Sequence, residues 1–248
     1  MADHRGGPVV ATRPIARVKR GLEKYGFRGG LRHAGSRAAE AAGYLRETHI
    51  WYELDLTRAR PRREMPAGLE LIVARPENVG LLDELPRQPY GPGGFYLPTV
   101  RQAEERLADG AVLWLVVESQ RPAFACWIFP QRAPLLAAPG GWLELPPGVV
   151  CLEDSVTSEH YRGRGVAPAA WSGIADRLSG ESATAMITKV EEDNAASRRA
   201  VEKAGFREIA MMSLLRIGSR SRVVVRGSGQ GTAGYLANRL ACGPGHAG

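Results

Sequence analysis

No apolar run in this chain approaches the roughly 18 residues that a membrane-spanning helix needs, and residues 1–20 alternate Arg, Pro and small side chains without the apolar stretch of a secretory signal. A cytoplasmic protein with no membrane partner is the resulting expectation. Cysteine is scarce: three residues cannot close a disulfide framework, and Cys126 and Cys151 each sit in an apolar run where a small buried side chain is the ordinary role. Cys242 lies in a Gly-rich tail. The five histidines (His4, His33, His49, His160, His246) are scattered and have no metal-ligand spacing, so no metal site is expected. Acidic residues are missing altogether from 216–248, where five Arg stand against no Asp or Glu.

What is present is an ordinary globular composition, 248 residues with 44% hydrophobic and 24% charged, enough for one domain with a sizeable core plus appendages. The net charge of +7 is unevenly spread. Residues 1–66 carry 14 Lys/Arg against 7 Asp/Glu, a net +7, whereas residues 67–215 carry 14 against 19, a net −5. Basic arms around an acidic body can contact nucleic acid or another polyanion, although Arg-rich ends are also commonly just solvated.

Periodicity divides the chain into three parts: a basic extension over 1–66, an organised body over 67–217 and a Gly/Arg-rich tail over 218–248. Residues 1–13 read as disordered and 15–46 as short helices broken by glycines. The aromatic stretch 49–56 (His49-Ile-Trp-Tyr-Glu-Leu-Asp-Leu56) reads as an edge strand. In the body the pattern predicts strands over 69–74, 111–118, 123–129, 149–157, 183–191 and 206–217. Helices are predicted over 76–85, 99–109, 168–178 and 194–204, with loops over 86–98 (Tyr90, Phe95, Tyr96) and 130–147. The order β-α-α-β-β-β-α-β-α-β implies a mixed α/β fold with a mixed central sheet flanked by helices.

The most informative segment is the turn Tyr161-Arg162-Gly163-Arg164-Gly165-Val166-Ala167-Pro168, placed between a strand and a helix. A Gly-rich turn opening a helix aims free backbone N–H groups and the positive end of the helix dipole at one point, which favours an anion. Glycine allows close approach, and Arg162 and Arg164 add positive charge. A Walker loop is excluded by the lack of Gly-Lys-Ser/Thr, and a dinucleotide fingerprint by Pro168 in its third glycine position.

Arg162-Gly-Arg-Gly165-Val-Ala167 resembles the R/Q-x-x-G-x-G/A signature of the GNAT (Gcn5-related N-acetyltransferase) superfamily. Downstream, Asn194-Ala-Ala-Ser197-Arg-Arg-Ala-Val-Glu202-Lys203-Ala-Gly205-Phe206 is similar to that family's second cofactor segment. The resemblance covers roughly 68–217. It implies a GNAT-like fold, acetyl-CoA or another acyl-CoA as co-substrate, and direct transfer of the acyl group to an amine on a small molecule or peptide. It implies a bulged strand before the turn that pairs with the pantetheine arm through Val156 and Ser158, with Arg162, Arg164, Gly165, Val166 and Ala167 of the turn, and Asn194, Ser197 and Lys203 downstream, completing the cofactor site. An oxyanion would meet a strand N–H near Val156. Asn194 can also serve simply as a helix N-cap.

For proton removal from the amine, Glu153 and Asp154 are adjacent on the strand and should face opposite sides of the sheet. Glu153 is the expected catalytic base, since the resemblance places an acidic base near there; His160 reads as a solvated turn residue. Where relatives carry a tyrosine to protonate the departing thiolate, this chain has Val201, which leaves Tyr161, Ser197 or water. Competing readings are a tRNA-dependent aminoacyl transferase on the same fold and a CoA-binding module without turnover. A homodimer is compatible with the sequence.

Overall fold

The computed structural model describes residues 44–86, 97–218, 220–227 and 229–241. The helices expected before residue 44, the disordered start, Tyr90, Phe95 and Tyr96 of the loop, and Cys242 lie outside the described residues. Among the described residues ten strands and four α-helices run in the order β1 Tyr44–Asp55, β2 Glu70–Val73, a 3₁₀ helix Pro76–Glu84, α1 Val100–Ala108, β3 Val112–Glu118, β4 Arg121–Phe129, β5 Arg132–Pro134 and β6 Trp142–Glu144. They continue as β7 Val149–Thr157, α2 Val166–Gly180, β8 Ala185–Glu191, α3 Ala195–Lys203, β9 Arg207–Ile217, β10 Arg220–Gly227 and α4 Gly231–Ala241.

Eight strands form one sheet in the order β10-β9-β1-β8-β7-β4-β3-β2, and β5 and β6 form a separate hairpin. Every pairing in the large sheet is antiparallel except β7 with β8. Each face carries its own core. One layer gathers Trp51, Trp127 and Cys151 with Val79 and Leu82 of the 3₁₀ helix, Ala103 of α1, and Ala233, Leu236 and Leu240 of α4. The other gathers Tyr52, Phe124 and Leu152 with Ala170, Trp171 and Ile174 of α2 and Val201 of α3. Helix starts follow their caps: Thr99 Oγ accepts from Gln102 N–H at 3.3 Å while Gln102 Oε1 accepts from Thr99 N–H at 3.0 Å, a reciprocal capping box.

The mixed sheet flanked by helices is as expected, but two segments are not. β1, read as an edge strand of an extension, runs through the middle of the sheet between β8 and β9, with Trp51 opposite Lys189 on one side and Ala210 on the other. Its residues Ile50, Trp51 and Tyr52 are 2%, 0% and 0% exposed, so both faces are buried. Three consecutive large apolar residues are the mark of an interior strand; the polar Glu53 and Asp55 had suggested an edge. The tail is likewise structured: β10 pairs with β9 over its whole length, and α4 packs Ala233, Leu236 and Leu240 into the core. The sheet therefore crosses both boundaries drawn at 66/67 and 217/218.

Trp51→Ala should cost about 3–5 kcal/mol in urea unfolding, the usual loss for a buried Trp or Phe in a core. A loss below about 1 kcal/mol would show that β1 is a dispensable addition.

Candidate functional site

β7 and β8 pair in parallel only at Val149–Ala185, Val150–Met186 and Cys151–Ile187. Beyond that point no ladder joins them, and a cleft of about 510 Å³ opens between the strands, the start of α2 and one side of α3. Its walls include Glu153, Asp154, Val156, Arg162, Gly165, Val166, Ala167, Asn194, Ser197 and Lys203. Thus ten of the residues singled out in the sequence, contributed by three separate elements, meet in one place. Ser158 and Arg164 do not line it.

At the α2 end, Gly165 is the N-cap with φ 78° and Gly163 also has positive φ, at 76°, so the turn requires glycine at both positions. A Cβ built on either residue would meet nothing within 4 Å. The first helix bond runs from Ala169 N–H to Gly165 O at 3.1 Å. The N–H groups of Val166 and Ala167 precede it and have no carbonyl one turn back, while Pro168 has no N–H to satisfy. Donors facing open space at a helix start fit a pyrophosphate. Arg162 lines this end, with Nε on Thr157 O at 3.3 Å and Nη1 3.5 Å from Glu159. Arg164 departs from its expected role. Its guanidinium lies 5.2 Å over the Tyr161 ring, and its N–H reaches Tyr161 O at 3.4 Å. At the α3 end Asn194 Oδ1 caps the helix by accepting from Ser197 N–H at 3.1 Å.

The ladder direction of β7 corrects a second assignment. Ser158 N–H donates to Ala123 O at 2.9 Å, and the register pairs Val156 with Ala125. Hydrogen-bonded and non-hydrogen-bonded pairs alternate along an antiparallel ladder, so the amides of Ser158 and Val156 are spent on β4. Thr157, the residue between them, turns its amide toward the opening. The strand positions free to pair with a ligand are therefore one residue out of step with Val156 and Ser158.

The expected facing of Glu153 and Asp154 also fails, for a local reason. Asp154 has φ 49°, a left-handed conformation that Asp tolerates better than most residues, and the β4–β7 register shifts here. This is a β-bulge, and it interrupts the alternation. Asp154 Oδ2 is 2.6 Å from Arg106 Nη1 of α1, and that guanidinium lies 5.2 Å over the Trp127 ring. Glu153 and Asp154 thus both point to the α1 side, while Ser155 resumes the pattern by accepting from Trp171 Nε1 at 3.2 Å on the α2 side.

Glu153 is buried, and its Oε1 accepts from Lys189 Nζ at 2.6 Å and from Cys151 Sγ at 3.3 Å. Burial pushes its carboxyl above the usual carboxylate range, with the Lys189 charge pulling the other way. Glu153 Oε1 is thus already held by an ammonium and a thiol, which argues against the expectation of Glu153 as the base. Asp154 differs: its side chain is 3% exposed and its Oδ1 is buried without a hydrogen-bond partner. Lys189 also donates to Pro134 O at 2.8 Å.

His49, read only as part of a strand, also lines the cleft. It is 4% exposed, and its Nδ1 has no partner. Burial, and secondarily the Lys189 charge, lower its pKa from 6.5 to about 4, which keeps the imidazole neutral at pH 7. Nothing near His49 in sequence signals this role, because β1 brings it in from outside the segment that carried the motifs. Tyr161, also on the cleft wall, donates to Glu118 at 2.6 Å, and that bond raises its pKa. Val201 is 2% exposed and offers no proton. Among the described residues no His, Cys, Asp and Glu group could hold a metal ion, and no helix is long and apolar enough to cross a membrane.

A family model described as the acetyltransferase (GNAT) family matches residues 80–206. Solved structures to which this chain is similar include a GCN5-related N-acetyltransferase from Sphaerobacter thermophilus, at 17% identity over 78% of this chain and 57% of that one, TM-score 0.49. A tandem GNAT protein from the clavulanic acid biosynthesis pathway matches at 15% identity over 80% and 59%, TM-score 0.49. An acetyltransferase from the GNAT family of Colwellia psychrerythraea matches at 12% identity over 76% and 62%, TM-score 0.49. This chain spans less than two thirds of the length of each. No curated protein matches it.

The lowered pKa of His49 has a consequence for stability. Between pH 6.5 and about 4 the unfolded chain binds a proton that the folded chain refuses, so stability falls as pH falls through that window. The full shift corresponds to about 3 kcal/mol. Urea unfolding at pH 7 and pH 4 should show the wild type losing up to about that much more than His49→Gln; equal losses would place His49 in a solvated setting.

Proposed function

The chain belongs to the acetyltransferase (GNAT) family, and on that footing we propose that it moves an acyl group, acetyl in the simplest case, from acyl-CoA to a primary amine by direct attack. The observation that carries this reading is the cleft itself. Two parallel strands separate beyond Cys151 and Ile187, and the gap ends at a helix start whose N–H groups have no internal partner. That combination suits a long ligand with an anionic head and an amide-bearing arm.

In this reading Gly165, Val166 and Ala167 hold the pyrophosphate with Arg162 beside it, and Thr157 pairs with the arm where β7 has parted from β8. Asn194, Ser197 and Lys203 flank the arm from α3. Acyl-CoA supplies the activated carbonyl. A strand N–H at the bulge faces the charge that builds on its oxygen, a role donors fill well in a site sheltered from water. The acceptor amine enters from the α1 side, where Asp154 Oδ1 takes the proton that attack releases. The C–S bond breaks, and the departing thiolate is protonated by water or by the Ser197 hydroxyl, since Val201 cannot do so and the Tyr161 proton is held by Glu118.

Gly165→Asp places both a left-handed β-carbon and a negative charge at the proposed phosphate seat. Calorimetric acetyl-CoA affinity should fall more than ten-fold, about 1.4 kcal/mol or more; unchanged affinity in the folded variant would remove the turn from the site.

With a panel of primary amines and detection of free thiol, Asp154→Asn should lower kcat/KM by roughly 10²–10⁴ while acetyl-CoA affinity stays near wild type. Part of the rate should return at high pH, where more of the amine is neutral. Glu153→Gln should act chiefly on stability, by about 3–5 kcal/mol, because it removes one charge of a buried ion pair. A stable Glu153→Gln variant with the larger kinetic defect would return the base to Glu153.

A further inference from the structure

The basic character of the two chain ends is not used by acyl transfer, yet the fold brings the described part of the first, β1, beside the described start of the second, β9 and β10. β1, β9 and β10 are neighbours, and their registers place Arg46 level with Leu215 and Arg222, and Tyr44 level with Ile217 and Arg220. Met211 and Arg226 continue the same rows. Alternation from Ile50 and Tyr52, which lie in the α2-side core, puts Arg46 and Tyr44 on that same face; Thr48 meets Ser213 there, oxygen to oxygen, at 3.3 Å. Val223 and Val225 pack into the opposite core with α4. Hence Arg220, Arg222 and Arg226 face away from α4.

All four arginines are exposed. Among the described residues none of them forms an ion pair, and the positions of β1, β9 and β10 that share these rows include no acidic side chain. Exposed Arg near an acid would be an ordinary solvated pair; here four guanidinium groups from positions as far apart as 46 and 226 share one surface without forming an ion pair among the described residues. Between them Leu215 and Val224 are half-buried, and Tyr44 and Ile217 are 39% and 57% exposed.

We propose that this face of β1, β9 and β10 binds the sugar–phosphate backbone of a single-stranded nucleic acid. Strand geometry sets Arg220 and Arg222 about 7 Å apart along β10, and Arg46 about 10 Å from Arg222 across two strands. Guanidinium groups in such rows suit successive phosphates, which they bind in a bidentate fashion. The apolar strip and the Tyr44 ring offer bases a surface to lie on. A duplex would need an element that enters a groove, and this face is made of paired strands. A membrane would ask for more protruding apolar side chains than Tyr44 and Ile217.

The test uses the full chain and fluorescein-labelled 20-mers of uridine and of thymidine, followed by anisotropy from 50 to 300 mM KCl. Micromolar binding of one or both is expected, the ordinary range for contacts to phosphate. The variant Arg46→Gln/Arg220→Gln/Arg222→Gln/Arg226→Gln should bind more than ten-fold more weakly. Its slope of log K against log salt should be smaller by about 3, at about 0.7 per phosphate contact. Should that variant fold poorly, Arg46→Gln/Arg222→Gln should lower the slope by about half as much. A matched Arg13→Gln/Arg17→Gln/Arg20→Gln/Lys24→Gln variant should keep the sheet-face contribution. If the sheet-face variant binds like wild type, or if neither oligonucleotide binds, whether or not phosphatidylserine vesicles do, the assignment is overturned.

Discussion

Past Cys151 and Ile187 the parallel ladder between β7 and β8 ends, and every backbone group beyond it on the facing edges must find a partner elsewhere. This separation sets the rest of the site. It leaves Thr157 with an amide turned outward, and it leaves room below for side chains to span the gap. The span is made by Lys189 and Glu153, 2.6 Å apart and almost fully buried. A buried ion pair repays its desolvation only when the remaining donors and acceptors are also met, and here Pro134 O and the Cys151 thiol meet them. The gap is thus held open by a closed polar network, beside which Asp154 Oδ1 and His49 Nδ1 remain without partners. Buried polar atoms are almost always satisfied; two that are not, on the wall of one cleft, point to a ligand that satisfies them.

The second constraint is topological. β1 reaches the sheet from the N-terminal side and separates β8 from β9. Its Trp51 stands under the Lys189 ammonium, 5.8 Å from ring centroid to Nζ, and its His49 enters the cleft. Residues 80–206, the span that matches the family model, therefore do not complete the cleft wall on their own.

How much of this could be read from the sequence depended on whether the signal was local. The turn at 162–167 and the two helix starts were legible, because glycine at a left-handed position and Thr99 or Asn194 at a cap act within four residues. The strands of the body were legible from their apolar runs. The interior position of β1 was not, since its partners Glu191 and Met212 lie more than 140 residues away and only the run Ile50-Trp51-Tyr52 hinted at them. A bulge on this strand was implied by the family resemblance, but its position at Asp154 was hidden for a different reason. Left-handed backbone usually announces itself through glycine, and here an aspartate adopts it, so strict alternation assigned Glu153 and Asp154 to opposite faces. The offset between Val156 and Thr157 had the same origin, because the direction of an amide in a ladder is fixed by the partner strand.

Hydrogen exchange of the protein with and without acetyl-CoA, resolved by residue, bears most directly on the claim that the β7–β8 opening is a cofactor seat. Slower exchange on adding acetyl-CoA is expected at Thr157, Val166 and Ala167, whose N–H groups the ligand would cover. Val156 and Ser158, already bonded to β4, should change little. Protection absent from both the strand and the turn, or confined to Val156 and Ser158, would contradict the geometry on which the whole reading rests.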